Sequence, residues 1–192
     1  MFVLKERELN DITKLVLSAP AKQSDLDLLP TWLVKDCIDP LLPYITHLFN
    51  TSMSTGFVPD VFKVVYVTPL LKKPCLDADD AENYRPESNL SMLSKTLECA
   101  VLQQVELHLH SAGLLPPHQS AYKKGHSTET ALVKVCADLI KAVDNHALLA
   151  LLDLSETFDT VDHAILLEHL DPELSHRPII HRATLWQRVA ET

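Results

Sequence analysis

Residues 147–163 read ALLALLDLSETFDTVDH and begin with the longest apolar run of the chain, Ala147–Leu152. Continuous apolar residues after a helical segment are typical of a strand that is buried on both faces. Asp153 follows directly, and a carboxylate is costly to bury unless it is paired or bound to a metal. The stretch therefore predicts a central strand, Ala147–Leu154, with a carboxylate near its carboxyl end, where sheet proteins commonly place functional groups.

Further acids follow Asp153 closely. Asp159, Asp162 and His163 all lie within ten residues of it. Mg²⁺ prefers a few carboxylates together with substrate phosphates and water, so a metal site is one interpretation. The other is that Asp153 ends a turn and that Asp162 caps a following helix, Asp162–Leu170.

The apolar spacing upstream predicts mostly helices. A helix that contains Leu9 and Val16 ends before Pro20. The next segments are two helices, Thr31–Asp39 and Leu41–Thr55, which are separated by Pro40, and Gly56 ends the second of them. A strand, Phe62–Leu71, and a polar loop, Lys72–Arg85, follow. Two long amphipathic helices follow, Asn89–Ser111 and Ser127–Asn145. In the second helix Ser127 is the predicted N-cap. Its predicted buried face consists of Leu132, Val135, Cys136, Leu139 and Val143. The order of helices, strand, two helices, strand and helix indicates an α+β fold with a small sheet covered by helices.

Composition excludes several classes of protein. The chain has 17 basic and 26 acidic residues, a formal net charge of −9, which argues against tight nucleic-acid binding by this chain alone. With 3 glycines it has no Gly-rich phosphate loop. No apolar stretch approaches the roughly 20 residues of a membrane span, and Met1–Asn10 lacks the apolar region of a signal peptide. We therefore expect an intracellular location, cytoplasmic or nuclear, without a membrane partner.

The four cysteines, Cys37, Cys75, Cys99 and Cys136, form no CxxC pair and have no zinc-site spacing. We expect reduced and mostly buried thiols.

Four blocks of the sequence resemble one family, in the expected order. Residues 151–163 are similar to motif A of the reverse transcriptases of non-LTR retrotransposons, in particular the jockey, CR1 and L2 types. NYRPESNLSMLSKTLE (83–98) and HQSAYKKGHSTETALVKV (118–135) resemble two further blocks of that family, and residues 27–74 resemble the region that leads into its fingers. The resemblance covers roughly residues 12–170.

The resemblance implies a right-hand polymerase and a role for six residues. Asp153 matches the catalytic aspartate that binds both Mg²⁺ ions, and the backbone carbonyl of Leu154 would help to hold one of them. Phe158 matches the aromatic residue that excludes a 2′-hydroxyl. Arg85, with Lys72 or Lys73, matches fingers residues that contact the incoming triphosphate, and such chemistry suits arginine and lysine. From the residues alone, Arg85 could instead pair with a loop acid, the two lysines could be solvated and Phe158 could be a core aromatic.

The sequence departs from the family pattern in several places. The 192 residues contain no Phe-Ala-Asp-Asp or Tyr-Ala-Asp-Asp segment, and the one Asp-Asp pair is Asp79–Asp80. One carboxylate cannot organise two metal ions at about 3.5–4 Å separation, so the Mg²⁺ site would be incomplete. Glu87 replaces a residue that is usually apolar, and Glu156 adds a negative charge near the expected phosphate site. Residues 171–192 resemble nothing in the family.

These observations predict four regions and one leading function. The regions are 1–60, helices leading into the fingers; 61–146, fingers and early palm; 147–170, the motif A strand and the next helix; and 171–192, a divergent tail. The function is that of a fragment of an RNA-directed DNA polymerase, whose parent enzyme uses an RNA template, a DNA primer and dNTPs. We expect this chain to be inactive alone and to bind nucleic acid weakly or not at all. A non-catalytic interaction module and a non-functional relic remain the alternatives.

Overall fold

The computed structural model describes residues 3–22, 24–142, 149–152, 161–162, 165 and 189–190. The chain forms two compact units, Met1–Leu107 with Asp162–Thr192, and His108–Val161. The first unit contains α1 (Leu9–Ser18), α2 (Thr31–Asp36), α3 (Ile38–Thr55), β1 (Val64–Leu71), β2 (Tyr84–Asn89), most of α4 (Met92–Ser111) and the two-residue strand β3 (Val189–Ala190). The second contains α5 (Thr128–Ala142). This mixture of helices and a small sheet confirms the predicted α+β class.

The core of the first unit lies among its helices, and of β1 only Val65, near the start of the strand, is buried. The buried side chains recur at helical spacing in α1 and α3, and the largest are Ile12, Val16, Phe49 and Met53. α4 adds Leu97 and Ala100, while Val65 of β1 is 1% exposed. Full burial of an aliphatic or aromatic side chain stabilises a fold by about 1.5–3 kcal/mol, so this cluster holds the helices and the base of the sheet together.

The break between α2 and α3 occurs at Cys37 and not at Pro40, where the sequence predicted it. Cys37 has φ −101° and ψ 26°, outside regular helical geometry. Pro40 lies in the first turn of α3, where its missing N–H would have had no helical acceptor. The predicted end of α3 is confirmed, since Gly56 has φ 71° and its N–H donates to the Ser52 carbonyl at 3.0 Å.

Two carboxamide side chains hold the extended N-terminal segment against the helices. Asn50 of α3 accepts from the Arg7 N–H at 2.8 Å and donates to the Arg7 carbonyl at 3.0 Å. Gln104 of α4 does the same for Lys5, at 2.8 and 3.0 Å. The segment is therefore bound by strand-like hydrogen bonds without belonging to a sheet.

The N-terminus of α4 is capped by two residues. Ser91 Oγ accepts from the Ser94 N–H at 3.3 Å, the usual N-cap contact. Asp27 Oδ1 accepts from the Met92 N–H at 2.6 Å. A carboxylate is favourable there, because the first helical N–H groups are unpaired and the helix dipole is positive at that end.

The second unit corrects one prediction about burial. α5 begins where the sequence predicts, and Ser127 and Thr130 cap it reciprocally, at 2.8 and 3.2 Å. Its apolar stripe, however, is not buried: Leu132, Val135 and Cys136 are exposed and Leu139 is half-buried, while Val143 is not among the described residues. An amphipathic helix buries its stripe only against another apolar surface, and the described residues of this unit supply none that covers it.

Three further predictions concern the central strand, the four cysteines and membrane-spanning helices. Leu149–Leu152, the described part of the predicted central strand, has no strand assignment, and Leu152 is 93% exposed. No described strand pairs with these residues, so they lack the neighbours that a doubly buried strand needs. The four cysteines form no disulfide, as predicted, but they are exposed and not mostly buried: Cys37 lies in the break between α2 and α3, Cys75 in the β1–β2 loop, and Cys99 and Cys136 on the surfaces of α4 and α5. Within the described ranges, no helix is long and apolar enough to cross a membrane.

Candidate functional site

Three basic residues lie around one antiparallel hairpin. Lys72 and Lys73 directly follow β1, and Arg85 is the second residue of β2. The two strands pair with Leu70 opposite Arg85 and Leu71 opposite Tyr84. The Lys72 N–H donates to the Asn83 carbonyl at 2.8 Å, which extends the same register by one pair. The predicted loop Lys72–Arg85 is therefore shorter than expected, since β2 begins at Tyr84.

The register brings two of the three cations to one face of the hairpin. Residues directly opposite in an antiparallel pair share a face, and successive residues alternate between faces. Arg85 lies opposite Leu70, and Lys72 is two residues beyond Leu70, so Lys72 and Arg85 are diagonal neighbours on the same face. Lys73 lies beyond the paired residues, in a turn that the Leu76 N–H closes on the Lys73 carbonyl at 3.1 Å. The resemblance did not distinguish Lys72 from Lys73, whereas the pairing of β1 with β2 does.

The three cations differ in what they already contact. Lys72 Nζ donates to the Glu82 carbonyl at 2.6 Å, at the loop end of the hairpin. Arg85 is exposed, and within the described part of the chain it takes part in no ion pair. Lys73 is also exposed. The guanidinium of Arg85 therefore keeps its bidentate donor geometry available to an external anion.

Two of the four acids of the hairpin loop accept hydrogen bonds from the loop's own backbone. Asp80 Oδ1 accepts from the Glu82 N–H at 3.0 Å and caps a short 3-10 turn, Ala81–Asn83. Asp77 Oδ1 accepts from the Asp79 N–H at 3.0 Å. The Asn83 amide donates to the Asp77 carbonyl at 2.9 Å. These bonds hold the Asp77 and Asp80 carboxylates against the loop, and neither of them forms an ion pair with Arg85.

Glu87 is the one acid on the same hairpin face as Arg85. The two are separated by a single residue of β2, and Glu87 lies opposite Thr68. Residues two apart in a strand are about 6.5–7 Å apart along it. Glu87 is exposed. Its negative charge therefore opposes any anion that approaches Arg85 from this face.

Two prolines oppose each other in the hairpin without disturbing the ladder. Pro69 lies opposite Pro86. The bond between Lys72 and Asn83 fixes the alternation, so that Leu70–Arg85 is a hydrogen-bonded pair and Pro69–Pro86 is not. The N–H groups that proline lacks would point away from the ladder at these positions. The segment reads as YRPESN, with little strand propensity, which is why the sequence did not predict β2.

The base of the hairpin is fixed to the helical core. Val65 is buried, and the Ser94 hydroxyl of α4 donates to the carbonyl of Phe62, just before β1. At the start of the pairing, the Asn89 amide donates to Thr68 Oγ1 at 3.4 Å. The cations therefore lie at the outer end of a two-stranded arm whose inner end is rigid.

The motif A residues Asp153, Leu154 and Phe158, with Glu156, lie outside the described residues. Asp162 is described, and its Oδ1 accepts from the Ile165 N–H at 3.2 Å, which agrees with the interpretation of Asp162 as a helix cap. Nowhere in the described part of the chain do three or more His, Cys, Asp or Glu side chains gather in a way that could hold a metal ion.

Comparison with known proteins matches the chain to one class, the RNA-directed DNA polymerases. The sequence profile described as "Reverse transcriptase (RNA-dependent DNA polymerase)" matches residues 71–187, which include the hairpin cations and motif A. The chain is 25% identical over 163 residues to "Probable RNA-directed DNA polymerase from transposon BS" of Drosophila melanogaster, covering 83% of this chain and 18% of that protein. It is 26% identical over 162 residues to "RNA-directed DNA polymerase from mobile element jockey" of the same species, with the same two coverages of 83% and 18%. A third relative, "Probable RNA-directed DNA polymerase from transposon X-element", is 29% identical over 62% of this chain and 13% of its own length. The chain thus spans less than a fifth of the length of these relatives.

Proposed function

The chain belongs to the reverse transcriptase (RNA-dependent DNA polymerase) family, and from this we propose that it supplies the fingers and early palm of a non-LTR retrotransposon polymerase. Residues 1–60 lead into the fingers, 61–146 form the fingers and early palm, and 147–170 carry motif A. The profile match continues to residue 187 and so includes most of the tail, 171–192, that the sequence predicted to be divergent. The parent activity is RNA-templated DNA synthesis with divalent metal ions, Mg²⁺ by resemblance. The template is RNA, and the primer and dNTPs complete the reaction.

Within this function, the β1–β2 hairpin receives the triphosphate of the incoming nucleotide. The observation that carries this assignment is the register that puts Lys72 and Arg85 on one exposed face. An arginine fork suits bidentate contact with phosphate oxygens, and a lysine adds a compact positive charge. Asp153, Leu154 and Phe158 are proposed, by resemblance alone, to serve the metal and the sugar.

Titration of the full chain with a fluorescent dNTP analogue tests the hairpin. We expect Arg85→Gln to weaken binding about tenfold, and Arg85→Lys not to restore it, since a lysine cannot form two parallel bonds. Lys72→Gln should weaken binding more than Lys73→Gln, which makes the same charge change in the turn beyond the paired residues. Equal losses for the two lysine variants, or unchanged binding by Arg85→Gln, would contradict the assignment.

A primer-extension assay tests the activity of the chain alone. The 192 residues contain the motif A aspartate but no Phe/Tyr-Ala-Asp-Asp segment. A two-metal displacement needs further carboxylates, so we expect no templated extension with Mg²⁺ or Mn²⁺. Extension that disappears in Asp153→Ala would overturn this expectation.

A further inference from the structure

The groove between α3 and α4 binds a polypeptide backbone through two side-chain carboxamides. Asn50 of α3 bonds to both the N–H and the carbonyl of Arg7, and Gln104 of α4 bonds in the same way to Lys5. We call this groove the carboxamide groove. Each carboxamide supplies one acceptor and one donor, so it pairs with the backbone of one residue as a neighbouring strand would. Every residue except proline offers the same two backbone groups, so these bonds do not depend on the identity of the bound side chain.

The spacing of the two carboxamides fits an extended peptide. Lys5 and Arg7 are two residues apart, a distance of about 6.4–6.8 Å in a strand and about 3 Å along a helix. In an extended chain the N–H and C=O groups of alternate residues point to the same side, so both carboxamides reach one edge of the segment. The backbone that follows is extended too, since Glu8 has φ −76° and ψ 158°. The groove therefore selects extended peptides.

Two side chains of the bound segment make specific contacts. Leu4 is 8% exposed and belongs to the core cluster of the first unit. Three residues later, Arg7 Nη2 donates to the Ala100 carbonyl of α4 at 3.0 Å and to Gln103 Oε1 at 3.3 Å. Arg7 Nη1 lies 4.0 Å from an Asp11 carboxylate oxygen, which adds charge complementarity. In peptide recognition, main-chain bonds supply affinity and side-chain pockets supply specificity. The groove thus fits a leucine followed, three positions later, by an arginine.

The chain's own segment, residues 3–8, fills the groove without satisfying every group. Arg7 Nε is buried and has no hydrogen-bond partner among the described residues. A buried donor without an acceptor destabilises the bound arrangement. Leu4 is the one buried residue of the segment, and the bonds between Gln104 and Lys5 are exposed to water. A segment with few buried apolar contacts and solvent-exposed backbone bonds opens locally at low cost.

We propose that the carboxamide groove is a docking site for an extended peptide of a partner protein, one that presents a leucine and, three residues later, an arginine. Such a peptide replaces residues 3–8, which leave the groove when it binds. The tethered segment competes at an effective concentration of about 1 mM, so a free peptide binds weakly until that segment is released. The proposal is independent of the proposed function, because it involves none of the hairpin or motif A residues.

Fluorescence anisotropy of a labelled peptide, VLKERE, titrated with the full chain tests the proposal. The full-length variant Leu4→Ser with Arg7→Gln weakens the tethered competitor and should bind the peptide about tenfold more tightly than the unmodified chain. Adding Asn50→Ala should abolish that gain, and adding Asn10→Ala, at an exposed position of α1, should not. Circular dichroism checks that each variant is folded. Gln104→Ala provides the same test if Asn50→Ala unfolds the chain, because the contacts of Gln104 are exposed.

Substitutions in the peptide test the proposed specificity. Peptides with Leu4→Ser or Arg7→Gln should each bind the opened chain about tenfold more weakly, since each loses a side-chain contact. A peptide with Lys5→Gln should bind normally, because that side chain is exposed. Equal affinity of all three peptides, or no gain in affinity on opening the groove, would overturn the proposal.

Hydrogen exchange shows where the peptide binds. In the unmodified chain, excess peptide should speed exchange at the Lys5 and Arg7 amides several-fold, because the displaced segment loses its acceptors, and should leave the amides of α1 unchanged. Unaltered exchange at Lys5 and Arg7 with peptide bound would place the peptide elsewhere and refute the docking site. Dimers of the unmodified chain that the free peptide disperses would count against a partner protein, since a second copy would then supply the segment.

Discussion

Asp27 Oδ1 accepts a hydrogen bond from the backbone N–H of Met92 at 2.6 Å, so a loop residue caps a helix that begins 65 residues later in the chain. The second carboxylate oxygen, Oδ2, accepts from the Ser24 N–H at 2.8 Å and so orders its own loop. This side chain links the segment before α2 to the helix after the hairpin, and its removal affects both.

Replacement of Asp27 by alanine should lower the free energy of unfolding by about 1–2 kcal/mol, because a helix cap and a favourable dipole contact are lost together. Urea unfolding followed by circular dichroism measures the difference. Asp25→Ala is the control, since Asp25 is an exposed acid two residues earlier. Equal stability of the two variants would mean that the contact contributes nothing.

The two carboxamide contacts with the N-terminal segment should differ in strength. Asn50→Ala leaves the partly buried Arg7 N–H without an acceptor, which costs about 1–3 kcal/mol. Gln104→Ala should cost less, because its contact with Lys5 is exposed and water can replace the side chain. Urea unfolding gives the two energies, and hydrogen exchange at the Lys5 and Arg7 amides reports them locally. A larger cost for Gln104→Ala would contradict this ranking.

Glu87→Gln should strengthen triphosphate binding at the hairpin about two- to fourfold at low salt, since a like charge on the Arg85 face is removed. The gain should fade near 1 M salt, where charges are screened from each other beyond a Debye length of about 3 Å. A dNTP titration measures it. Glu106→Gln, an exposed acid on α4, makes the same charge change elsewhere. A gain of equal size in that variant would attribute the effect to net charge and not to the position of Glu87.

Partial burial, and to a lesser extent the Glu98 carboxylate, raises the pKa of the Cys99 thiol above its ordinary value. The reactive thiolate is therefore scarcer at a given pH than in an unperturbed thiol. With the other three cysteines replaced by serine, alkylation of Cys99 should keep accelerating as the pH rises past the usual thiol range. Glu98→Gln should move that rise to lower pH. An unchanged profile would show that burial alone raises the pKa.

The sequence predicts helix positions well because their signals are local. Gly56 and Ser127 end and begin helices where expected, each through hydrogen bonds to residues within four positions. Of the four apolar residues at helical spacing in α1, Ile12 and Val16 are buried and Leu15 partly so, whereas Leu9 is exposed.

Contacts between distant residues were not predictable in the same way. Nothing local in Asp27, Asn50 or Gln104 indicates a partner 43 to 99 residues away. The same contrast between sequence signals and long-range contacts applies to the candidate site. Its residues came from a resemblance, but the separation of Lys72 from Lys73 depends on the pairing of β1 with β2. One signal in the sequence was missed. A strand needs a partner strand to be stable, and Tyr84–Asn89 is the segment that follows the predicted strand after a single loop.

The facing prolines of the hairpin have a consequence for solubility. β2 forms one edge of the sheet, so the N–H groups of its non-hydrogen-bonded positions point outwards, where another chain could add a strand. Pro86 occupies the middle one of these positions and offers no donor. The free edge of β2 is thus a poor template for pairing with a strand of another chain, which lowers the tendency of this hairpin to aggregate.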